Sequence, residues 1–489
     1  LDVREARDRA NRHRTRAEDL VGFMIGDLRE KLEPLGQLPL LGGAGDKALD
    51  YFRSLAPDEV TDDDRFRQAE ALMQVGQVRF AEGRSADAGR LFDQARGLLE
   101  ALTRRAPDRL PWQAALGAAR FWAGYQHWME GRLDEAHGEF QAYLRVASLL
   151  VRREPDEARW QMELAQARNN LGAVSEARGD YPAALDHFRE AVAIKQRLVD
   201  REPAVARWRE ELADSRSWLG DALLRSGDLP GASAQFRAGL GHLDHLGAVD
   251  PGNRDWQRLR AVAHAKAGDV NRWMGLQGAA VSEYEMARDL LLGLTAHDPT
   301  NLGWKRDLGA VLAGLGQTSL GGSDATAATA ALDLALPLLR TIVEADPGNA
   351  NFRHQLARGQ VLLSRAHALH VRFHDALRLA DDAATTLQPI ARNPDRPTQQ
   401  RVAEAALARA RALIRLGRDP EAAAEVGRAL VAVTAIGADS RDTEILAMRA
   451  EVLLRDGRPD EAAPLLAELD RRGFVPPELA AVRRTAAAR

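Results

Sequence analysis

The sequence predicts an all-α fold, a right-handed α-solenoid of about nine antiparallel helix pairs. The first observation behind this prediction is that three residue types recur at a constant step, which defines a 48-residue repeat. The second is that each repeat unit contains two amphipathic stretches separated by turn residues. The recurring residues are Trp112, Trp160, Trp208, Trp256 and Trp304, continued by Phe352; Pro107, Pro155, Pro203, Pro251, Pro299 and Pro347; and Gly76, Gly124, Gly172, Gly220, Gly268 and Gly316.

Residues 202–249 illustrate one unit, and its first helix is called helix A here. Pro203 suits the first turn of a helix, where a backbone N–H has no intrahelical partner. Trp208, Leu212 and Leu219 follow helical spacing along the same stretch. These residues predict a helix of about 20 residues with one apolar stripe.

The second helix of the unit, helix B, begins after the turn formed by residues 226–228. Ala232, Phe236 and Leu243 mark its buried stripe, together with Leu240. The Asp-Pro-Gly-Asn sequence at residues 250–253 then ends helix B and opens the next unit. Each unit is therefore expected to be two antiparallel helices.

The spacing G-x6-G-x4-A-x3-[FY]-x2-A within the units resembles that of the tetratricopeptide repeat (TPR). A standard repeat of that family has about 34 residues, so these units are roughly 14 residues longer, and the extension carries the proline and the tryptophan. The resemblance implies that the small residues let helices A and B approach closely and that the aromatic residue fills the gap. In the third unit the pattern reads Gly172, Gly179, Ala184, Phe188 and Ala191.

Later units depart from the pattern, as expected for the end of a stack. The seventh unit loses its glycines, and the step from Gly417 to Gly457 in the last two units is shorter than the step between earlier units. We therefore divide the chain into N-terminal connector or capping helices over residues 1–60, a TPR-like solenoid of 48-residue repeats over residues 61–395, and shorter, degenerate repeats with a cap over residues 396–489.

Residues 1–60 differ from the repeats. Residues 2–33 predict one long helix, charged in its first half and ended by Pro34. The stretch from Ala17 to Phe52 resembles a segment of multidomain bacterial signalling proteins that lies between a membrane-spanning helix and TPR-like repeats. That resemblance implies a membrane tether upstream of Leu1. The alternative is that these residues are the capping helix of a soluble solenoid.

Composition excludes several function classes. The 489 residues carry a formal net charge of -4, which argues against a general nucleic-acid-binding protein. The absence of cysteine removes thiol catalysis, disulfides and iron–sulfur clusters. No run of about 18 apolar residues predicts a membrane span. The compartment stays open between the cytoplasm and the extracytoplasmic side of a membrane-anchored bacterial protein.

No sequence pattern predicts catalysis, a cofactor or a metal site. The glycine-rich stretch at residues 42–47 lacks the Ser or Thr that follows the lysine of a phosphate-binding loop. His367, His370 and His374 have a helical spacing, but a turn is expected near His374, so solvated polar residues are the better explanation. No nucleophile-elbow sequence occurs. We therefore predict a protein that is not an enzyme and that needs no cofactor.

Helix A of each TPR unit lines a concave groove in that family, and its outward positions contact the ligand. The resemblance assigns this role to positions counted from the phased glycines, which are aromatic in the second unit and polar or charged in the next ones. Aromatic anchors beside polar residues are typical of a groove that holds a peptide or a helix. The alternative is that the longer helices turn these residues into the stack as packing. The residues are Phe80, Phe121, Tyr125, Trp128, Asn169, Asp221, Arg225, Arg272 and Trp273.

The sequence therefore predicts a non-catalytic TPR module that binds a protein or peptide in its concave groove, as the sensor or scaffold region of a bacterial signalling protein. The alternative is a free-standing soluble adaptor or chaperone-like protein, and an enzyme with a site in the groove is less favoured. Nucleic acid is not an expected partner, and the sequence leaves homo-oligomer formation open.

Overall fold

The computed structural model shows α-helices joined by short turns. The described residues are 47, 49–52, 60–322, 324–392, 394–437, 443–472, 479–480 and 482–483. Within them the chain contains no β-strand, and eighteen long helices follow one another as nine antiparallel pairs. The predicted all-α solenoid is confirmed. The helix predicted over residues 2–33 and the glycine-rich stretch before Lys47 lie outside the described residues.

The chain divides between Glu202 and Pro203 into two compact units. The helices of the first unit are α1 (Asp62–Ala81), α2 (Ser85–Arg105), α3 (Leu110–Met129), α4 (Leu133–Arg153), α5 (Ala158–Ala177) and α6 (Tyr181–Arg201). The helices of the second unit are α7 (Ala206–Ser226), α8 (Leu229–Val249), α9 (Arg254–Trp273), α10 (Gln277–His297), α11 (Leu302–Gly321), α12 (Ala325–Ala345), α13 (Ala350–Leu369), α14 (Phe373–Leu387), α15 (Arg396–Arg415), α16 (Asp419–Ala435), α17 (Thr443–Arg455) and α18 (Pro459–Arg471). Odd-numbered helices are helices A, and even-numbered helices are helices B.

In the first five helix pairs, the phased glycine of helix A packs against the aromatic residue of helix B. The ring of Phe188 on α6 is fully buried and lies against Gly172 on α5. A Cβ at Gly172 would come within 2.6 Å of that ring, so only glycine leaves room for it. Gly220 and Phe236 repeat the contact in the second unit, where a Cβ would come within 2.5 Å.

The phased prolines lie in the turns between pairs, which corrects one sequence prediction. Pro203 was expected in the first turn of helix A, but α7 begins at Ala206 and Pro203 lies in the turn before it. The fixed φ of proline suits such a turn. Its carbonyl oxygen accepts a hydrogen bond from the side chain of Arg209, in the first turn of α7. Gln257 donates to Pro251 in the same way at 2.6 Å, so the prolines help to order the start of helix A.

We call the side of each unit on which neighbouring A helices contact one another its inner side. In the first unit α1 contacts α3, and in the second unit α9, α11, α13 and α15 contact one another in sequence. Within each unit, a B helix that is followed by another pair packs between its own A helix and the next one, as α2 does between α1 and α3. The surface shared by neighbouring A helices is therefore the candidate groove. The right-handed sense of the stack stays a prediction.

Helix α12 is the one described helix that is long and apolar enough to cross a membrane, judged by length and composition alone. Its Leu332, Leu339 and Ile342 side chains are fully buried in the core that it shares with its neighbours. It packs against α11 and α13, as α10 packs against α9 and α11. The apolar composition of α12 is therefore explained by its burial between neighbouring helices of the stack.

Candidate ligand-binding groove

Four of the predicted groove residues form one continuous aromatic surface in the first unit. We call Phe80 of α1 and Phe121, Tyr125 and Trp128 of α3 the aromatic face. The ring centroids of Phe80 and Tyr125 are 5.6 Å apart, those of Phe121 and Tyr125 are 5.9 Å apart, and those of Tyr125 and Trp128 are 5.9 Å apart. All four side chains are half-buried. The structure therefore brings together residues from two successive repeats.

The underside of the aromatic face belongs to the core. Phe121 lies 6.3 Å from Phe140 and 6.2 Å from Tyr143 between ring centroids, and both of these rings are buried. Tyr125 and Trp128 pack against the same cluster, which includes Leu171 of α5. Each residue thus contributes one side to packing and keeps another side in solvent. The two interpretations offered by the sequence, groove and packing, each describe part of the same side chains.

Trp122 supports the aromatic face from below, which the sequence analysis did not anticipate. Its indole is stacked on Phe92, with ring centroids 5.5 Å apart and an angle of 21° between the planes. It also contacts Phe121 and Phe80 at 5.3 and 6.2 Å. Trp122 therefore covers the aromatic residue that closes the first helix pair.

Asn169 lies on α5, the next A helix of the first unit, and is buried. Glu176, two turns further along the same helix, is buried as well. Polar side chains at these positions contrast with the aromatic rings at the corresponding positions of α3. The inner side of the first unit thus changes from aromatic to polar between α3 and α5.

The second unit contains a cavity of about 360 Å³ between α7, α8 and α9, which we call the acidic pocket. Its wall on α7 carries six polar or aromatic residues, among them the predicted groove residue Asp221. Those residues are Glu210, Glu211, Asp214, Ser217, Trp218 and Asp221. The floor is apolar and is formed by Phe236 and Leu243 of α8 with Leu259, Val262 and Ala263 of α9.

A lysine from α9 crosses one end of the acidic pocket. The Lys266 Nζ atom donates to Ser217 Oγ at 2.6 Å and forms an ion pair with Asp221 Oδ2 at 2.5 Å. At the other end, Glu210 accepts the indole N–H of Trp256 at 3.1 Å, and Asp214 accepts that of Trp218 at 3.2 Å. The indole of Trp218 is 36% exposed. The lining therefore holds four carboxylates and one amine.

The remaining predicted residues lie away from this cavity. Arg225 is exposed in the last turn of α7. Arg272 lies over the Trp273 ring, 5.0 Å from its centroid, and 3.5 Å from Asp269 Oδ1. Trp273 packs on a cluster formed by the last helix pair, which includes Leu446 of α17 and Leu469 of α18. The structure thus joins α9 to the last pair at this point and does not bring Trp273 together with Asp221.

Further along the A helices of the second unit, charged residues are buried and paired. Glu451 of α17 accepts hydrogen bonds from the Arg411 guanidinium at 2.6 and 2.7 Å and from Arg455 at 2.9 Å. Burial alone would raise the pKa of Glu451, but these two guanidinium groups hold it at about 2. Burial, with a smaller contribution from the charge of Arg411, lowers the pKa of the neighbouring Arg365 to about 9.

Among the residues that line the acidic pocket, the sequence analysis assigned no groove position to Glu210, Glu211, Trp218 and Lys266. The positions were counted from the phased glycine of helix A alone. The position that Lys266 holds after the helix-B aromatic is tryptophan in two other 48-residue repeats, at Trp122 and Trp218. Counting positions from that aromatic residue would therefore have drawn attention to Lys266. Among the described residues, no three His, Asp or Glu side chains come together where they could hold a metal ion.

Comparison with known proteins gives the following similarities. A sequence profile described as tetratricopeptide repeat matches residues 164–203. No curated protein is similar enough in sequence to match. The apo form of RapI is 11% identical, with a TM-score of 0.56, over 86% of this chain and 99% of RapI. BtubC (BKLC) from P. vanneervenii is 17% identical, with a TM-score of 0.42, over 54% of this chain and 94% of its own. A Rap protein complexed with Competence and Sporulation Factor is 11% identical, with a TM-score of 0.44, over 87% of this chain and 98% of its own.

Proposed function

Starting from a chain that is a TPR-like helical solenoid, we propose that it is a non-catalytic module that binds a protein or peptide along its A helices. The observation that carries this proposal is the aromatic face of the first unit. Phe80, Phe121, Tyr125 and Trp128 touch one another and remain half-exposed on the side where neighbouring A helices meet.

The aromatic face has the chemistry of a binding anchor. Tyrosine and tryptophan are enriched among the residues that dominate protein interfaces, because they bury a large area at a small cost in conformational entropy. The rings are held by Trp122 and Phe140 beneath them, so they are ordered before a ligand arrives. Preordered anchors lose less entropy on binding than free side chains do.

The test combines two truncations with a matched control. Tyr125→Ala and Trp128→Ala are each expected to weaken capture of the partner at least tenfold, with a small fall in melting temperature. Leu334→Ala on α12 is the control, because Leu334 is apolar and 64% exposed but lies on an outer B helix. The control should leave both quantities unchanged.

The measurement is quantitative capture from a lysate of the source organism, followed by a Kd for the purified partner and by thermal unfolding of each variant. A large fall in melting temperature with capture retained would show that the aromatic face serves packing alone. Equal loss of capture in the Leu334→Ala control would show that binding uses another surface.

The wider role that we propose is the sensor or scaffold region of a bacterial signalling protein, with a membrane tether upstream of Leu1. The resemblance of residues 17–52 to a connecting segment supports this role. The coding DNA upstream of Leu1 tests it. About 20 apolar codons preceded by a folded domain would support the receptor, whereas an initiator Met next to Leu1 would favour a soluble adaptor. Self-association of the chain stays a separate prediction.

A further inference from the structure

The acidic pocket lies where the second unit has a lysine at the position of the tryptophan that covers a helix-B aromatic ring in the first unit. In the first unit Trp122, on the A helix that follows Phe92, stacks on that helix-B aromatic ring. The corresponding residue after Phe236 in the second unit is Lys266, whose Nζ atom lies 5.7 Å from the centroid of the Phe236 ring. A lysine covers much less of the ring than an indole does, so space remains above Phe236.

A glycine on α8 further widens the space above Phe236. Gly239 of α8 lines the cavity, at a position where the neighbouring 48-residue repeats have Ala191 and Ala287. A Cβ at Gly239 would lie 3.4 Å from the Ala213 carbonyl oxygen, which is an ordinary contact. Packing therefore does not require glycine here, in contrast to the phased glycines that face an aromatic ring.

Two of the four carboxylates at the rim, Glu210 and Asp214, are also particular to this repeat. Glu210 corresponds to Met162 and Arg258 in the neighbouring 48-residue repeats, and Asp214 corresponds to Gln166 and Val262. Because a packing role common to all repeats would repeat the residue type, Glu210 and Asp214 are not required by the repeat pattern itself. Glu210 accepts one hydrogen bond from Trp256, and a carboxylate can accept about four.

The combination of an apolar floor and an acidic rim selects one kind of occupant. An anionic group would be repelled by the net negative charge of a lining that holds four carboxylates and one amine. A purely apolar group would cover the floor but would offer the rim carboxylates no hydrogen bond in place of the water that it displaces. A lysine or arginine side chain satisfies both parts, because its methylene stem lies on apolar surface while its charged head reaches the carboxylates.

We infer that the acidic pocket binds a lysine or arginine side chain of a peptide segment. The stem lies on Leu259 and Val262, and the head lies between Glu210 and Asp214, at the end that Lys266 does not occupy. About four residues of helix separate these two carboxylates, which is about 6 Å along the axis. This inference rests on the proposed function, since it takes the ligand to be a peptide.

The experiment uses the whole chain labelled with 5-fluorotryptophan and follows the ¹⁹F resonance of Trp218, assigned with Trp218→Phe. The probes are four capped pentapeptides with two alanines on each side of Arg, Lys, norleucine or Glu. We expect the Arg and Lys peptides to shift the Trp218 resonance saturably. The norleucine and Glu peptides should bind at least tenfold more weakly, and added salt should weaken the Arg peptide.

Three variants connect the binding to the pocket. Glu210→Gln with Asp214→Asn should weaken the Arg peptide at least tenfold. Lys266→Trp should abolish its binding by filling the cavity, without lowering the melting temperature. Asp186→Asn with Glu190→Gln removes two carboxylates from the outer helix α6 and is the control, which should bind the Arg peptide as the unmodified chain does.

Each outcome supports or overturns the inference. Equal binding of the norleucine peptide would show an apolar pocket, and preference for the Glu peptide or no Trp218 shift with any peptide would contradict the inference. Binding of spermidine with no binding of the Arg peptide would identify a small-amine site instead. If partner capture depends on Tyr125 and Trp128 but the Arg peptide does not bind, only this inference fails. If the Arg peptide binds but capture ignores the aromatic face, the proposed use of that face fails instead.

Discussion

The aromatic face of the first unit and the acidic pocket of the second use the same positions of the 48-residue repeat with opposite chemistry. Phe121 and Tyr125 of α3 correspond to Ser217 and Asp221 of α7, which hold the same positions two repeats later. The first pair of residues stacks with ring centroids 5.9 Å apart, whereas the second pair binds the Lys266 amine. The repeat therefore determines where these side chains lie and leaves their chemistry open.

The difference shows which positions carry the fold and which are available for binding. Gly172 and Gly220 face an aromatic ring in both units, and replacing either would move that ring. Positions on the inner side of the A helices vary from aromatic to acidic to paired charge along the chain. A solenoid buries its core between neighbouring helices, so its inner surface can change without loss of the stack.

The largest expected effect concerns a third kind of inner position, the buried ion pairs of α15 and α17. Glu451→Gln should lower the free energy of unfolding by about 4 kcal/mol at neutral pH, because it leaves the half-buried guanidinium groups of Arg411 and Arg455 without their buried carboxylate. The pKa of Glu451 is about 2 in the folded chain and near 4.5 in the unfolded chain. Its stabilisation is therefore complete above about pH 4.5 and is lost as the pH falls towards 2.

Urea unfolding of the unmodified chain and of Glu451→Gln at a series of pH values checks this prediction. The difference between the two should shrink as the pH falls. The control is Glu461→Gln, which removes the carboxylate of an exposed pair with Arg458 and should have little effect. A difference that stays constant with pH would show that the charge of Glu451 does not stabilise the fold.

The second-largest expected effect comes from a substitution that should open a pocket in the first unit. Trp122→Lys gives the first unit the residue that the second has at Lys266. It should lower the free energy of unfolding by about 3 kcal/mol, because the indole stacked on Phe92 is lost from a half-buried position. Urea unfolding measures this loss, and Leu334→Ala serves as the exposed control. A loss below about 0.5 kcal/mol would mean that the ring over the helix-B aromatic contributes little.

The smallest effect fills the existing pocket. Lys266→Trp should raise the free energy of unfolding by about 1 kcal/mol, since the indole covers Phe236 as Trp122 covers Phe92. The side chain of Asp221 is 27% exposed, so water can replace the lost amine. The same urea titration checks this prediction. A destabilised Lys266→Trp chain would show that the two units differ in backbone geometry and not in one side chain alone.

The sequence predicted the pairing of helices well because the 48-residue step repeats the packing residues. It misplaced Pro203, since a proline suits both a turn and a first helical turn, and only the start of α7 at Ala206 decides between them. It grouped Tyr125 and Trp128 correctly by helical spacing. It missed Glu210 and Lys266, because a pocket that arises from an absent indole leaves no pattern within a single unit.

We propose that the ligand binds on the side of the molecule formed by the A helices. Hydroxyl-radical footprinting of the chain with and without its purified partner tests this proposal most directly. The side chains to follow are Tyr125 and Trp128 on the inner helix α3, with Met286 and Leu334 on the outer helices α10 and α12 as references. We expect the partner to protect Tyr125 and Trp128 and to leave Met286 and Leu334 as reactive as in the free chain. Protection of Met286 and Leu334 with Tyr125 and Trp128 unchanged would contradict the claim.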